Sequence, residues 1–203
     1  MKTFLTLVLS LLFAFNAIGQ SDNNGFTNKA EAKNLMLKGV REGKWIIYKD
    51  SNEKKTADTN APYYALMVFN AGIAVGVVRQ YYRSGKLLSE GTENGIERWY
   101  YEDGKLQAEV PYINGHKNGV EKWYYESGKL QYETPNTDDK TNGIKKEYYE
   151  SGALKAEYPF KDDVENGTEK EYYESGKIKT ETPFINGVAG DSNSYDENWN
   201  DKK

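Results

Sequence analysis

Histidine and cysteine, two residue types that serve in many active sites, are scarce in this sequence. Its 203 residues include one histidine, His116, and no cysteine. Nucleophilic catalysis needs a nucleophile, a base and a third group that orients the base. No such set accompanies His116, which lies in an Asn-Gly-His-Lys stretch typical of a turn. Without cysteine, the chain also has no disulfides and no thiolate metal ligands. The sequence therefore predicts a protein that is not an enzyme and that uses no cofactor or metal.

Four glutamates recur at a spacing of 24 residues: Glu109, Glu133, Glu157 and Glu181. Paired carboxylates can carry acid–base chemistry or bind Ca²⁺. If each 24-residue step is one two-stranded hairpin, neighbouring glutamates lie about 10 Å apart, too far to share an ion directly. We interpret the column as structural, and we assign the lysines of the Lys122 and Lys146 series to the opposite face.

Aromatic side chains offer the clearest binding hypothesis. They make up 14% of the chain, with 17 tyrosines. Exposed rows of rings can stack on sugars or seat a protein partner, because Tyr and Trp are enriched at binding hot spots. The alternative is that the rings only cover the sheet. The candidate binding surface consists of Trp99, Tyr101, Trp123, Tyr125, Tyr149 and Tyr173.

These residues belong to an internal repeat. Asn-Gly begins a new unit at Asn94, Asn118, Asn142 and Asn166, each 24 residues after the last, and one unit reads NGVEKWYYESGKLQYETPNTDDKT. Two degenerate units precede them and begin at Gly76 and Gly43. The first strand of a unit is β-branched and aromatic, and a Gly two residues before the return strand suits a hairpin loop. About six units predict an all-β fold, an elongated antiparallel sheet of consecutive hairpins.

Within one unit the prediction is more detailed. Val120 to Tyr125 forms a strand, Ser127-Gly128 the turn and Leu130 to Thr134 the return strand. Pro135 ends the ladder or lies where no N–H is needed, and the next Asn-Gly makes the second turn. Alternation puts the side chains at positions 120, 122, 124, 130, 132 and 134 on one, more apolar face. The equivalent hairpin turns are Ser84-Gly85, Asp103-Gly104, Ser151-Gly152 and Ser175-Gly176.

The chain divides into four segments. Residues 1–19 combine Lys2, an apolar run and small residues at Ala17 and Gly19, which predicts a signal peptide cut after Gly19 and a secreted or periplasmic protein. Residues 20–42 precede the repeats, with a short helix predicted from Thr27 to Lys38. The repeats span 43–189, with an insertion at 51–62. Residues 190–203 are predicted to be a frayed polar tail.

The repeat pattern resembles the bacterial MORN-repeat-variant proteins, including YwqK-type antitoxins. One unit carries the pattern at Asn118, Gly119, Lys122, Tyr124, Tyr125, Ser127, Gly128, Leu130 and Glu133. The resemblance covers about residues 39 to 189. It implies a sheet of hairpins that acts by contact, since some relatives are proposed to neutralise a toxin by binding it.

Charge narrows the range of partners. The formal net charge is -4, which disfavours nucleic acid and non-specific attraction to anionic lipid. No later segment is apolar enough to insert directly into a membrane. The sequence favours a protein partner for a non-catalytic binding or scaffold module, with a cell-surface glycan as the alternative.

Overall fold

The computed structural model describes residues 24–198, which form antiparallel β-structure with one short 3-10 helix and no α-helix. The chain separates after Glu93 into two compact units, one ending at Glu93 and one beginning at Asn94. The predicted signal peptide lies outside the described residues. In the described part, no helix is long and apolar enough to cross a membrane. The prediction of an all-β fold of consecutive hairpins is confirmed.

Residues 24–93, the described part of the first unit, contain one short helix and six strands. The helix is Lys29–Glu31, and the strands are β1 (Leu35–Leu37), β2 (Val40–Lys49), β3 (Lys55–Thr56), β4 (Tyr63–Asn70), β5 (Ile73–Tyr82) and β6 (Leu87–Gly91). Strands β1, β2, β4, β5 and β6 pair antiparallel in that order, and β3 pairs with the end of β2. The return strand predicted to start at Tyr63 is confirmed, and the 51–62 insertion forms the loop of its hairpin.

The helix predicted from Thr27 to Lys38 is wrong beyond its first turn. Asn28 does cap the short helix, since its side chain accepts the Ala30 N–H. Asn34 then adopts φ +49°, which a helix does not allow, and its side chain accepts the Ile46 N–H. The following residues form β1, which turns back onto β2 through Lys38-Gly39.

The core of the first unit lies on both faces of β4. Ala65, Met67 and Phe69 are buried on one face, and Tyr64 and Leu66 on the other. An uninterrupted apolar strand is the pattern expected when both faces are covered. Phe26, from the segment before the first strand, packs in the same cluster as Tyr64 and Leu66.

The second unit repeats one hairpin with a short extra strand. Its strands are β7 (Gly95–Tyr100), β8 (Leu106–Ile113), β9 (His116–Lys117), β10 (Gly119–Tyr124), β11 (Leu130–Thr137), β12 (Lys140–Thr141), β13 (Gly143–Tyr148), β14 (Leu154–Lys161), β15 (Val164–Glu165), β16 (Gly167–Tyr172), β17 (Ile178–Ile185), β18 (Val188–Ala189) and β19 (Asn193–Ser194).

Each repeat of the second unit has two turns, and the structure confirms the predicted position of the first. Gly128 has φ +84° and donates to the Tyr125 carbonyl, as predicted for the first turn, and the equivalent Gly85, Gly104, Gly152 and Gly176 also have positive φ. The second turn is not at Asn142-Gly143 but earlier, at Asp138-Asp139, where both residues have positive φ. Asp tolerates this conformation, so the aspartate pair replaces Asn-Gly as a tight hairpin turn.

A β-bulge changes the predicted faces of the return strand. Trp123 pairs with Tyr132, whereas Tyr124 pairs with Leu130, so Gln131 is an extra residue. One extra residue moves the rest of the strand to the opposite face. Tyr132 therefore lies on the same face as Trp123, and the prediction that it shares a face with Tyr124 is wrong.

The same shift brings the glutamate column onto the lysine face. Lys122 pairs with Glu133 in its own hairpin and with Glu109 in the preceding one. The assignment of these lysines and glutamates to opposite faces was therefore wrong. We call this side, defined by Arg98, Glu109, Lys122 and Glu133, the lysine–glutamate face.

Burial in the second unit is concentrated on the other side of the sheet. We call this side, defined by Trp99, Ala108, Trp123 and Tyr132, the tryptophan face. Its buried residues include Ala108, Val110, Glu121, Asn136 and Ala156, whereas the Ile96, Val120 and Ile144 column of the lysine–glutamate face is exposed. The residues predicted to share one apolar face are thus divided between the two sides, because Val120 is exposed on the lysine–glutamate face whereas Tyr132 lies on the tryptophan face.

The start of the tail continues the repeat. Asn193 pairs with Glu181 and Ser194 with Thr180, and the Tyr195 N–H donates to the Lys179 carbonyl. The first strand of a further hairpin is therefore present. The expectation of a frayed tail is wrong for residues 190–198.

Candidate binding surface

Backbone pairing between consecutive hairpins of the second unit is short. Strands β10 and β11 share six residue pairs within one hairpin, whereas β8 and β10 share two across the junction. The β11–β13 and β14–β16 junctions also have two pairs each. Side chains must therefore supply much of the contact that joins one repeat to the next.

The second tyrosine of each Tyr-Tyr pair makes one of these contacts. Its hydroxyl donates to the main-chain carbonyl of the first tyrosine in the following repeat. The donors Tyr101, Tyr125, Tyr149 and Tyr173 reach Tyr124, Tyr148, Tyr172 and Tyr195 over 2.7, 2.8, 2.8 and 2.9 Å. These four half-buried members of the predicted binding surface hold the repeats together, and their role in ligand binding stays a prediction.

The first tyrosine of each pair makes a contact in the opposite direction. Its hydroxyl donates to the glutamate of the preceding repeat, at 3.2, 3.0, 2.8 and 2.9 Å for Tyr124–Glu109, Tyr148–Glu133, Tyr172–Glu157 and Tyr195–Glu181. Burial and the hydrogen bond to a carboxylate raise the pKa of Tyr148 and of Tyr172 to about 12.

The glutamates of this column are also paired with cations. Arg98 Nε lies 3.2 Å from Glu109, and Lys122, Lys146 and Lys170 lie 3.8, 4.0 and 3.6 Å from their cross-strand glutamates. Each carboxylate therefore links a basic side chain of its own hairpin to a tyrosine of the next. This arrangement supports the structural interpretation of the column.

The asparagines that begin three of the repeats each support the second turn of their own repeat. Asn94 Oδ1 accepts the Asn114 N–H at 2.7 Å, and Asn142 Oδ1 accepts the Asp162 N–H at 3.0 Å. Asn118 donates instead to the Asp138 carboxylate at 3.0 Å. The Asn-Gly that begins a repeat thus anchors the second turn, which is formed by other residues.

His116 pairs with a carboxylate of the next repeat. Its Nδ1 lies 2.6 Å from Asp139 Oδ2, and the other Asp139 oxygen accepts the Lys117 N–H at 2.8 Å. The hydrogen bond to Asp139 raises the pKa of His116, and the same bond lowers the pKa of Asp139. The pair bridges two adjacent turns. Within the described residues, no group of three or more His, Asp or Glu side chains could hold a metal ion.

Three rings form one row on the tryptophan face. Trp99 and Trp123 both lie opposite Ala108, one on each side of it, and Trp123 lies opposite Tyr132. The Trp123 and Tyr132 rings stack with centroids 5.7 Å apart, and Trp123 Nε1 donates to Glu121 at 2.5 Å. Ala108 is fully buried between the half-exposed indoles. Sequence reasoning missed Tyr132, because only the bulge brings it to this face.

Carboxylates surround the aromatic row and continue beyond it. Burial raises the pKa of Tyr132 strongly, and Glu121 and Glu147 raise it further. In the two later repeats, glutamates occupy the position of the tryptophans, and burial with neighbouring Glu165, Glu171 and Glu147 raises the pKa of Glu169. The tryptophan face is therefore aromatic in its first half, whereas its second half carries glutamates, of which Glu147 and Glu171 are paired with lysines.

The geometry defines a class of protein: tandem β-hairpin repeats joined by side-chain hydroxyls and carboxylates. Among protein families, the MORN repeat variant matches five times, over residues 74–92, 93–114, 117–136, 141–162 and 165–186, which is just over half of the chain. The chain belongs to the MORN repeat variant family. No curated protein matches it. MORN repeats are generally protein- or membrane-binding modules, and the family is generally non-enzymatic.

The same Tyr→Phe substitution should weaken a different junction at each of the two tyrosines of a pair. Tyr124→Phe removes the bond to Glu109 and should loosen the β8–β10 junction, whereas Tyr125→Phe removes the bond to Tyr148 and should loosen the β11–β13 junction. Each should lower the free energy of unfolding by about 0.5–1.5 kcal/mol. Hydrogen exchange resolved by residue measures both effects, and each variant is the control for the other. Faster exchange at the same junction in both variants would contradict the assignment.

The His116–Asp139 pair predicts a pH-dependent link between two turns. The pKa of His116 should lie above its usual value of about 6.5 and return toward it in Asp139→Asn. Because that pKa is raised, the stabilisation from His116 is present below the unfolded-state pKa and is lost as pH rises through the folded-state pKa. Because the pKa of Asp139 is lowered, its stabilisation is lost as pH falls through that lower value. NMR titration of the imidazole measures this. Asp138→Asn, as a control, should shift the His116 pKa less, and an equal shift would refute the pairing.

Proposed function

We propose that this protein is an exported, non-catalytic module that binds a protein partner through the tryptophan face of its second unit. Family membership supports a contact function, since MORN repeats generally mediate interactions. The observation that carries the proposal is the row of Trp99, Trp123 and Tyr132, half-exposed on one face. Aromatic residues of this kind supply most of the binding energy at protein interfaces.

The charge on the same face indicates the chemistry of the partner. On this face the ammonium group of Lys145 binds between two aromatic rings and a carboxylate. Its Nζ lies 5.5 Å from the centroid of Tyr132, 5.3 Å from that of Tyr158 and 3.2 Å from Glu147. Glu169 and its carboxylate neighbours add further negative charge. A partner surface that presents lysine or arginine beside apolar side chains fits this combination.

Export is supported by the sequence alone. Residues 1–19 combine Lys2 with an apolar run and small residues before the predicted cut after Gly19. The proposal therefore places the partner in the periplasm or outside the cell. Neutralisation of a toxin by contact is one form that such binding would take, as the resemblance to YwqK-type antitoxins implies.

A glycan is the second candidate ligand, and the aromatic row is the observation that favours it. Rings on a flat face can stack on sugars. However, the Trp123 and Tyr132 rings lie only 23° from parallel and stack on each other, so each ring has one face partly occupied. This arrangement, together with the surrounding carboxylates, favours a protein over a neutral sugar.

The experiment compares two faces of the same hairpins. The protein is used to capture partners from periplasmic extract and is screened in parallel on a glycan array. Trp99→Ala and Trp123→Ala should each weaken the capture of the partner by about 30-fold or more, as expected for a hot spot of about 2 kcal/mol. Ile96→Ser and Val120→Ser change exposed residues of the opposite face and should leave capture unchanged.

Folding must be separated from binding, because both indoles flank buried Ala108. Trp99→Phe and Trp123→Phe keep an aromatic ring in place and should retain the thermal midpoint while still weakening capture. Normal capture by folded tryptophan variants would reject this face as the site. Loss of capture in the Ile96 and Val120 variants would move the site to the lysine–glutamate face. Glycan binding without protein capture would select the second candidate.

A further inference from the structure

The second turns of the repeats form a recurring hydrogen-bonded series, which we call the turn ladder. Each turn has two central residues at positive φ: Lys38-Gly39, Ala71-Gly72, Asn114-Gly115, Asp138-Asp139, Asp162-Asp163 and Asn186-Gly187. Within each unit, the N–H of the second turn residue donates to the carbonyl two residues beyond the preceding turn of that unit. Gly72 donates to Arg41 in the first unit, and in the second unit Asp139 donates to Lys117, Asp163 to Thr141 and Gly187 to Glu165, at 2.8, 3.0, 3.0 and 2.8 Å.

The pattern can be followed back to the first described turn of the first unit and forward to the last described turn of the second unit. The first turn, Lys38-Gly39, holds the donor position at which the series begins. At the other end, Ala189 holds the acceptor position, two residues beyond the last turn. If the first turn of one copy were placed next to the last turn of another, the same pattern would pair the Gly39 N–H of the first copy with the Ala189 carbonyl of the second.

Packing along the turn ladder follows a second rule. The residue after one turn contacts the glycine of the next. A Cβ placed on Gly72 would lie 3.2 Å from Val40 Cβ, and one placed on Gly187 would lie 3.4 Å from Val164 Cγ1. Val188 holds the same position after the last turn and is 71% exposed. A Cβ on Gly39 would meet nothing within 4 Å, so the space that a Val188 side chain requires is open there.

The residues that flank the first and last turns of the turn ladder are more apolar than those that flank the turns between them. The two residues that flank an internal turn always include a polar one: Asn70 and Ile73, Ile113 and His116, Thr137 and Lys140, and Lys161 and Val164. Both end turns are flanked by two apolar residues: Leu37 and Val40 at the first, Ile185 and Val188 at the last. All four are exposed. Repeat arrays that remain single need polar outer faces at their ends, and these ends are apolar.

Charge at the two ends is of opposite sign. Lys38, in the first turn, and Lys33, just before β1, are exposed. At the other end, Asp191, two residues beyond Ala189, and Asp196 are exposed. Opposite charges favour contact between unlike ends and disfavour contact between like ends.

We propose that copies of this chain associate head to tail, with the Lys38-Gly39 turn of one copy docking against Val188 and Ala189 of another. The contact continues the interface that the turn ladder already makes between repeats. The Gly39 N–H donates to the Ala189 carbonyl, Val188 packs on Gly39, and Leu37 and Val40 cover Ile185. Two different surfaces meet, so each copy keeps one end available for a further copy.

The test uses one blocking substitution at each end of the full-length protein. Sedimentation velocity over a series of concentrations should show the mass of the unmodified protein rising from that of a single copy to multiples of it. Val188→Asp and Leu37→Asp should each remain a single copy over the same range. An equimolar mixture of the two variants should form dimers and nothing larger, because only one complementary pair of ends remains.

The control is Ile113→Asp, which changes a residue that flanks an internal turn and is as exposed as Leu37, at 53%. It should associate like the unmodified protein. A single copy at every concentration in the unmodified protein, association of either end variant alone, or a mixture that forms no dimer would overturn the proposal. Circular dichroism verifies folding. If Val188→Asp does not fold, Ile185→Thr takes its place with the same expected outcome.

Discussion

The limited backbone pairing between consecutive repeats is the constraint on which the second unit depends. Two residue pairs join neighbouring hairpins, compared with six inside each hairpin. A sheet held only by those pairs would lose few hydrogen bonds when one hairpin separated from the next. The tyrosine hydroxyls compensate, because one of each pair reaches forward to a main-chain carbonyl and the other reaches back to a glutamate.

These hydrogen bonds between repeats explain which positions are the same in every repeat. The Tyr-Tyr pair, the turn glycine and the column glutamate recur in each full repeat, since each one joins or closes hairpins. The position on the tryptophan face changes from Trp99 and Trp123 to Glu147 and Glu171. Residues that hold the repeats together are therefore uniform, whereas those on the tryptophan face differ from repeat to repeat.

Sequence reasoning succeeded where a local rule determines the conformation. A glycine at positive φ fixes the Ser127-Gly128 turn, and the 24-residue period fixes its recurrence. It failed where one residue alters the register: nothing in the local sequence around Gln131 marks it as the bulge, yet the bulge moves Tyr132 beside Trp123. The helix predicted around Leu35 failed because of contacts with β2: the Asn34 side chain accepts the Ile46 N–H, and the Trp45 indole donates to the Leu35 carbonyl.

Urea unfolding of a variant with Phe at positions 101, 125, 149 and 173 tests most directly whether the forward tyrosine bonds couple the repeats. The substitutions retain the rings and remove four hydroxyls. We expect the second unit of the unmodified protein to unfold in a single transition, and the variant to show a broader one with a lower m-value, because its repeats then unfold in smaller groups. A transition with an unchanged m-value and midpoint would contradict the claim that these hydroxyls join the repeats.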